Sequence, residues 1–292
     1  MAEQKIEFRK VRDFGENIGD IFQFLRQEAK PFLRAFFAIC GIFMLLTSVM
    51  SGLLQAQMFT GVFDTATFNR VSPFSRIFTA NYFLTVLVAI VTYSSMHVTV
   101  FSYIKGYIDN GNNSPDIEQV WKLFTKNFSK VFLLTIPIHL LTIIGFLFCL
   151  VPGFYFGVVL APFAMILIYE GLTFGEAFAR CTYLIKENFW SSFGIYIVAM
   201  IIYYAAQTLI GGIVAGSAGL LTYFTTKDFK SVIGIATSFI NIFGYFFYVI
   251  PLLGIALNYF TLVENKDGLG ILNRIDTIGK TKINPDRGEE EF

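Results

Sequence analysis

The chain has 292 residues, 55% of them hydrophobic and 15% charged, with a mean hydropathy of +0.61 and 35 Phe. Soluble domains carry about 25% charged residues, so this composition excludes an ordinary water-soluble fold and points to the bilayer. The formal net charge of +1 provides no global field for nucleic acid, and two His and three Cys are too few and too scattered for a metal framework.

The first twenty residues, MAEQKIEFRKVRDFGENIGD, are charged and lack the adjacent short apolar core of a cleavable signal peptide, so the first span is expected to direct insertion. NIGDIFQFLRQEAKPFL, 17–33, places Ile18, Ile21, Phe22 and Leu25 at the i, i+3, i+4, i+7 spacing of an amphipathic helix. Charge-free runs then predict spans at 35–57 and 79–104. DIEQVWKLFTKNFSKVF, 116–132, repeats the amphipathic pattern, with Ser114-Pro115 as its opening.

Val131 to Tyr169 contains no Asp, Glu, Lys or Arg over 39 residues. One helix of that length would run about 58 Å at 1.5 Å per residue, against a hydrocarbon core of about 30 Å. Two spans, 131–151 and 155–170, fit instead. Pro152 and Gly153 are read as the topological turn between them, the alternative being a kinked single helix. AFARCTYLIKENFWSSF, 177–193, is the third amphipathic segment, with Thr173 and Glu176 at capping-box spacing just before it. Spans at 190–213 and 232–262 follow, the last containing Pro251 and so expected to kink or tilt. After a break at Gly268, Leu269, Leu272, Ile275 and Ile278 suggest a short interfacial helix, and the chain ends in a polar tail.

With the N-terminus inside, eighteen Lys and Arg fall on the cytoplasmic side and only Arg70, Arg76, Lys227 and Lys230 outside. That bias favours both termini inside and an even number of spans, which supports two helices across 131–169. The expected fold is therefore an all-α integral membrane protein. It has six transmembrane helices as three hairpins, each preceded by a cytoplasmic-side amphipathic helix. One membrane domain covers 1–262, in units of about 14–104, 114–170 and 174–262, and 263–292 forms a cytoplasmic tail. At an offset of 99 between the first two units and 61 between the next two, Ile21, Val120 and Cys181 align, though a chance match of amphipathic helices explains the pattern too.

Residues 151–193 carry Pro152-Gly153, Glu170-Gly171, Glu176-Ala177, Arg180 before a small residue, Leu184, and a Lys-x-Asn-aromatic step from Lys186 to Phe189. This stretch resembles the bacterial membrane domain attached to some glycerophosphoryl diester phosphodiesterases, and a related stand-alone family of inner-membrane proteins. Cys181 stands where that family usually has Ser. The resemblance implies a multi-pass protein of the bacterial inner membrane. It does not carry over phosphodiesterase activity, which belongs to a separate barrel that this chain has no room for.

His97 and His139 lie in spans at similar depth, with Ser94, Ser95, Thr99, Thr135 and Thr142 nearby in sequence. Ionisable groups at depth mark a candidate polar pocket; a packing role through hydrogen bonds is the commoner outcome. Glu170 reads as a coupling carboxylate or, more often, a structural anchor paired with Arg180. Gln207 and Asn241 read as interhelical hydrogen-bonders, and Gly211, Gly212, Gly216 and Gly219 as small-residue packing. Cys40, Cys149 and Cys181 read as free packing thiols. There is no GxSxG, Walker loop, HExxH or paired-carboxylate constellation, so no enzyme, metal or cofactor is expected. The leading expectation is a non-enzymatic protein that organises or assists a membrane-protein partner or membrane lipid. A transporter with a pocket in the bundle is the alternative, and a lipid-acting enzyme the third.

Overall fold

The computed structural model describes residues 5–63, 79–148, 150–221, 224 and 229–268, with side chains described outside 58–63 and 229–231. Cys149, Arg70, Arg76, Lys227 and the tail beyond Gly268 lie outside the described residues. The described residues form α1 (Phe14–Phe63), α2 (Ala80–Asp109), α3 (Ile117–Phe148), α4 (Leu150–Val159), α5 (Phe163–Tyr169), α6 (Phe174–Ile185), α7 (Phe189–Leu221), α8 (Phe229–Phe247) and α9 (Val249–Asp267). Six helical stretches are long and apolar enough to cross a membrane, as in a multi-pass membrane protein; two of them join consecutive helices, Leu150–Tyr169 and Val232–Asp267.

The first two amphipathic segments are continuous with the spans that follow them. In α1 a single buried face runs through Ile21, Phe24, Glu28, Phe32, Phe36, Cys40 and Met44, steps of three or four residues that keep one side of the helix inward. Pro31 sits inside this helix without ending it. In α3, Val120, Phe124 and Val131 are buried, whereas Leu133, Leu140 and Leu147 face outward. The third segment, α6, stays separate from α7, and its buried face is Ala177, Cys181, Leu184 and Ile185. Val120 and Cys181 are both fully buried, as is Ile21.

Pro152 and Gly153 are displaced from the expected turn. Both belong to the first turn of α4, where an absent amide proton costs no helical hydrogen bond. Helix α3 ends at Phe148 and α4 begins at Leu150, both ahead of them. A Cβ on Gly145 would come within 3.0 Å of the Gly153 backbone, and the Phe146 and Phe154 rings meet at 5.2 Å. Gly153 is thus needed for close approach of α4 to α3, because a side chain there would strike Phe146. A second break, absent from the sequence reading, falls at Leu160–Pro162, where Pro162 opens α5. The break associated with Pro251 lies at Tyr248, and Pro251 occupies the first turn of α9. Proline excludes the carbonyl four residues back, which is that of Phe247, the last residue of α8.

The core is concentrated at one end of the bundle. It is built from the C-terminal half of α2, nearly all of α5 and α9, the buried face of α1, and Ile6 and Phe8 from the N-terminal segment. Phe8 is 1% exposed and meets Phe24, Tyr107 and Phe260 edge-on at 5.5–5.8 Å. At the opposite end, α7 beyond Tyr203 and the last turns of α3 present apolar surface outward, as helices facing lipid do.

Candidate functional site

The same end of the bundle collects most of the charged and hydrogen-bonded side chains of the described residues. Arg180, on α6, donates through Nε to both Glu170 oxygens at 3.2 Å and pairs with Asp267 at the end of α9. Glu170 also accepts from the Tyr259 hydroxyl at 2.6 Å. Burial opposes the Arg180 charge, but the bonds and charges of Asp267 and Glu170 outweigh it and hold the guanidinium above its usual pKa. The expected Glu170–Arg180 pair is therefore present, within a larger group that includes Asp267 and Tyr259.

Around this group the N-terminal segment is tied down. Arg9 Nη2 donates to the Tyr169 hydroxyl at 2.6 Å. Arg12, 5% exposed, pairs with Asp20 at 2.7 Å and donates to the carbonyls of Phe8, Lys10 and Glu7. The Tyr107 hydroxyl donates to the Ile6 carbonyl at 3.3 Å, and Tyr103 to buried Glu28 at 2.7 Å. Lys105 donates to the carbonyl of Ile168 at 3.0 Å, satisfying the C-terminal end of α5, where the helix dipole favours a cation.

Helix α6 starts as its sequence predicts. The Thr173 amide donates to Glu176 Oε2 at 2.9 Å and the hydroxyl at 2.7 Å. These two bonds keep the Glu176 carboxyl below its usual pKa. Gly171, with φ +73°, makes the left-handed turn between α5 and α6 that a side chain would resist. Cys181, fully buried beneath α6, has its thiol pKa pushed up to about 12, first by burial and then by the charge of Glu170. It is an inert packing thiol.

The four residues of the expected polar pocket lie on two packed helices, Ser94, Ser95 and His97 on α2 and His139 on α3. His97 is half-buried; its Nδ1 lies 2.8 Å from the Tyr93 carbonyl, and its ring packs against Phe101 and Tyr248 at 5.9 and 5.8 Å. His139 is exposed on α3, its Nδ1 2.7 Å from the Thr135 carbonyl. Ser95 is fully buried and donates to the Val91 carbonyl at 2.8 Å; Ser94 is 6% exposed. His139 is thus the more exposed of the two imidazoles. Equal depth along two helices says nothing about the direction each side chain takes around its axis.

Two groupings escaped the sequence reading. Between α1 and α2, Thr47 and Thr92 hydroxyls meet at 2.6 Å and Cys40 sulfur meets the Thr99 hydroxyl at 3.1 Å, a polar seam joining two apolar helices. Around His97, Tyr93, Tyr203, Tyr245 and Tyr248 form an aromatic cluster, with Tyr248 5.2 Å from Tyr93 and 5.7 Å from Tyr203. The seam was legible as Thr92 and Thr99 seven residues apart. The cluster was not, because its members come from separate helices. Asn258 supplies a further clamp, donating to Ser192 and Tyr196 of α7 at 3.0 Å each.

The small-residue contact also moves. Gly212, Gly216 and Gly219 have nothing near the place of a Cβ. The close helix approach is instead Gly52 of α1 against Gly234 of α8, where an added Cβ on Gly52 would collide with the Gly234 carbonyl and Ser238. Gln207 does meet a neighbouring helix, lying against Gly244. Comparison with known proteins finds no matching family model, no matching curated protein and no matching solved structure.

Proposed function

We propose that the chain is a non-enzymatic multi-pass protein of the bacterial inner membrane that organises or assists a protein partner or lipid. Its three pairs of spans form hairpins, and both termini are cytoplasmic. The observation carrying this reading is the group at one end of the bundle in which Arg180 engages Glu170 and Asp267 and Tyr259 donates to Glu170. Each histidine ring lies at a carbonyl of its own helix, and His97 packs against Phe101 and Tyr248, which fits a packing role. Polar groups at the collared end are engaged with one another, as in Arg180 with Glu170 and Asp267.

The layout has further support. Thr47 opposite Thr92 and Cys40 opposite Thr99 fit an antiparallel first pair; Gly145 beside Gly153 fits the second; Gly211 near Ile240 and Gln207 near Gly244 fit the third. Arg9 and Asp267 both belong to the same collared end through Tyr169 and Arg180, as expected for an even span count with both termini on one side. The full burial of Ile21, Val120 and Cys181 at aligned positions agrees with a threefold internal repeat. Their collar faces also leave Trp190 78% exposed and Tyr183 half exposed beside Lys266, suited to contact with a neighbour.

Photo-crosslinkers at Trp190 and Tyr183, with a control at buried Leu257, test the reading in native membranes. One reproducible protein or lipid adduct at the collar and none at buried Leu257 is the expected outcome. Vesicle uptake of a solute that disappears in His97→Phe or His139→Phe, both still folded, would overturn it in favour of transport.

A further inference from the structure

The outward face of α3 changes character along one uninterrupted helix. Leu133, Leu140 and Leu147 are 59%, 57% and 79% exposed, an apolar stripe with no protein cover. Directly above that stripe stand Lys122, Lys126 and Lys130. Spacings of four residues keep the three lysines on one side, and the rise from Lys126 to Leu133 is only about 10 Å. Thr125 and Ser129 lie between them on the same exposed side, and Trp121 borders the row, stacked on Phe124 at 5.4 Å.

The row has spare positive charge. Lys122 and Lys126 are exposed and form no ion pair among the described residues. Lys130 uses one proton on the Gly171 carbonyl at 3.1 Å. The acidic groups facing the row are Glu118, one turn before Lys122, and Glu176, which is engaged with Thr173. Helix α1 repeats the arrangement: Arg26, Lys30 and Arg34 are exposed, spaced by four, and likewise precede the apolar part of their helix. A basic row ending where an apolar stripe begins marks the level of phosphate groups in a bilayer.

We propose that the α3 face, Lys122, Lys126 and Lys130 above Leu133 and Leu140, is a docking site for an anionic phospholipid. The lysines hold the headgroup phosphate and the leucine stripe lies along an acyl chain. Charge complementarity selects the lipid class, and continuity of the stripe selects a lipid over a free phosphate, which would leave the leucines without a role. The site deepens the lipid half of the function proposed above and rests on the membrane-spanning character of α3. A lysine near a membrane surface strengthens anionic lipid binding roughly fivefold, and salt weakens that effect.

The test uses the full chain with Trp121→Phe and Trp190→Phe, so that Leu133→Trp is the sole indole, reconstituted in phosphatidylcholine vesicles. Brominated phosphatidylglycerol is compared with brominated phosphatidylcholine as quencher. The expected result is a preference for phosphatidylglycerol of about fivefold or more. It disappears in Lys122→Gln/Lys126→Gln/Lys130→Gln, survives in the corresponding Lys→Arg variant, and falls in molar salt. Equal quenching by the two lipids, or an unchanged preference in the Gln variant, overturns the site, including when the lysines serve a protein partner instead. Should the Gln variant not fold, a preference unaffected by molar salt overturns it as well. Absence of quenching by either lipid overturns the site together with the lipid-facing placement of α3, whereas equal quenching leaves that placement intact.

Discussion

Arg180 joins three segments that are distant in sequence. Its guanidinium is the only cation paired with both Glu170 and Asp267 among the described residues, and all three side chains are about one-fifth exposed. Partial exposure screens such a group, so its removal falls between the small value of a surface pair and the 3–5 kcal/mol of a broken buried one. Arg180→Ala is expected to cost about 2 kcal/mol, because two carboxylates are left together without a counter-charge. Arg180→Lys should recover only part, since one ammonium does not reproduce the two-sided fork. Denaturant unfolding in detergent gives both values. A midpoint for Arg180→Ala equal to that of the parent chain would remove the group from any account of stability. Asp267→Asn in the Arg180→Ala background should then restore some stability by relieving the carboxylate repulsion.

At the scale of elements, helix approach is set by single small residues. Gly52 and Gly234 let α1 and α8 meet backbone to backbone. Gly52→Val forces a side chain against the Gly234 carbonyl, which has no flexible end to yield, and overpacking of this kind costs about 1–3 kcal/mol. Gly212→Ala and Gly216→Ala meet nothing within 4 Å, so the better helix propensity of Ala should leave thermal stability equal or slightly higher. Melting curves of the three variants separate the two cases; similar losses in all three would mean that α7 packs where the structure leaves it open. The GxxxG spacing on α7 was visible in the string, but it signals a contact only when another helix faces it. Pro152 is parallel: its helix-breaking chemistry was read correctly, but a proline is equally at home in the first turn of the next helix, and α4 uses it there.

Across the whole molecule, the N-terminal segment closes the collared end. Phe8 fills a space bounded by Phe24, Tyr107 and Phe260, and Arg12 binds the carbonyls of Glu7, Phe8 and Lys10. Phe8→Ala is expected to destabilise by about 3 kcal/mol, typical of a buried ring removed from a close-packed site. It should also expose the amides of residues 5–13 to hydrogen exchange; protection equal to that of the parent would show that the segment is held without Phe8. Nothing in the composition of this charged stretch distinguishes a buried plug from a solvated leader.

Six apolar stretches long enough to span were legible because hydropathy is a local sum over neighbouring residues. So was the capping of α6, whose partners Thr173 and Glu176 are three residues apart. The Glu170–Arg180 pair was within reach for the same reason, at ten residues' separation. The partners of that pair were not: Asp267 lies 87 residues from Arg180, and Tyr169 lies 160 from Arg9. The histidines show the limit most directly, since depth follows from counting residues along a helix while facing follows from how neighbouring helices pack around it. Tertiary packing alone put His97 against Tyr248 and His139 on the outside, gathered the tyrosines, and chose Gly52 over Gly212 as the point of closest approach. Rotation of each helix about its axis is decided by the sum of contacts with several others, and no single stretch of the chain contains that sum.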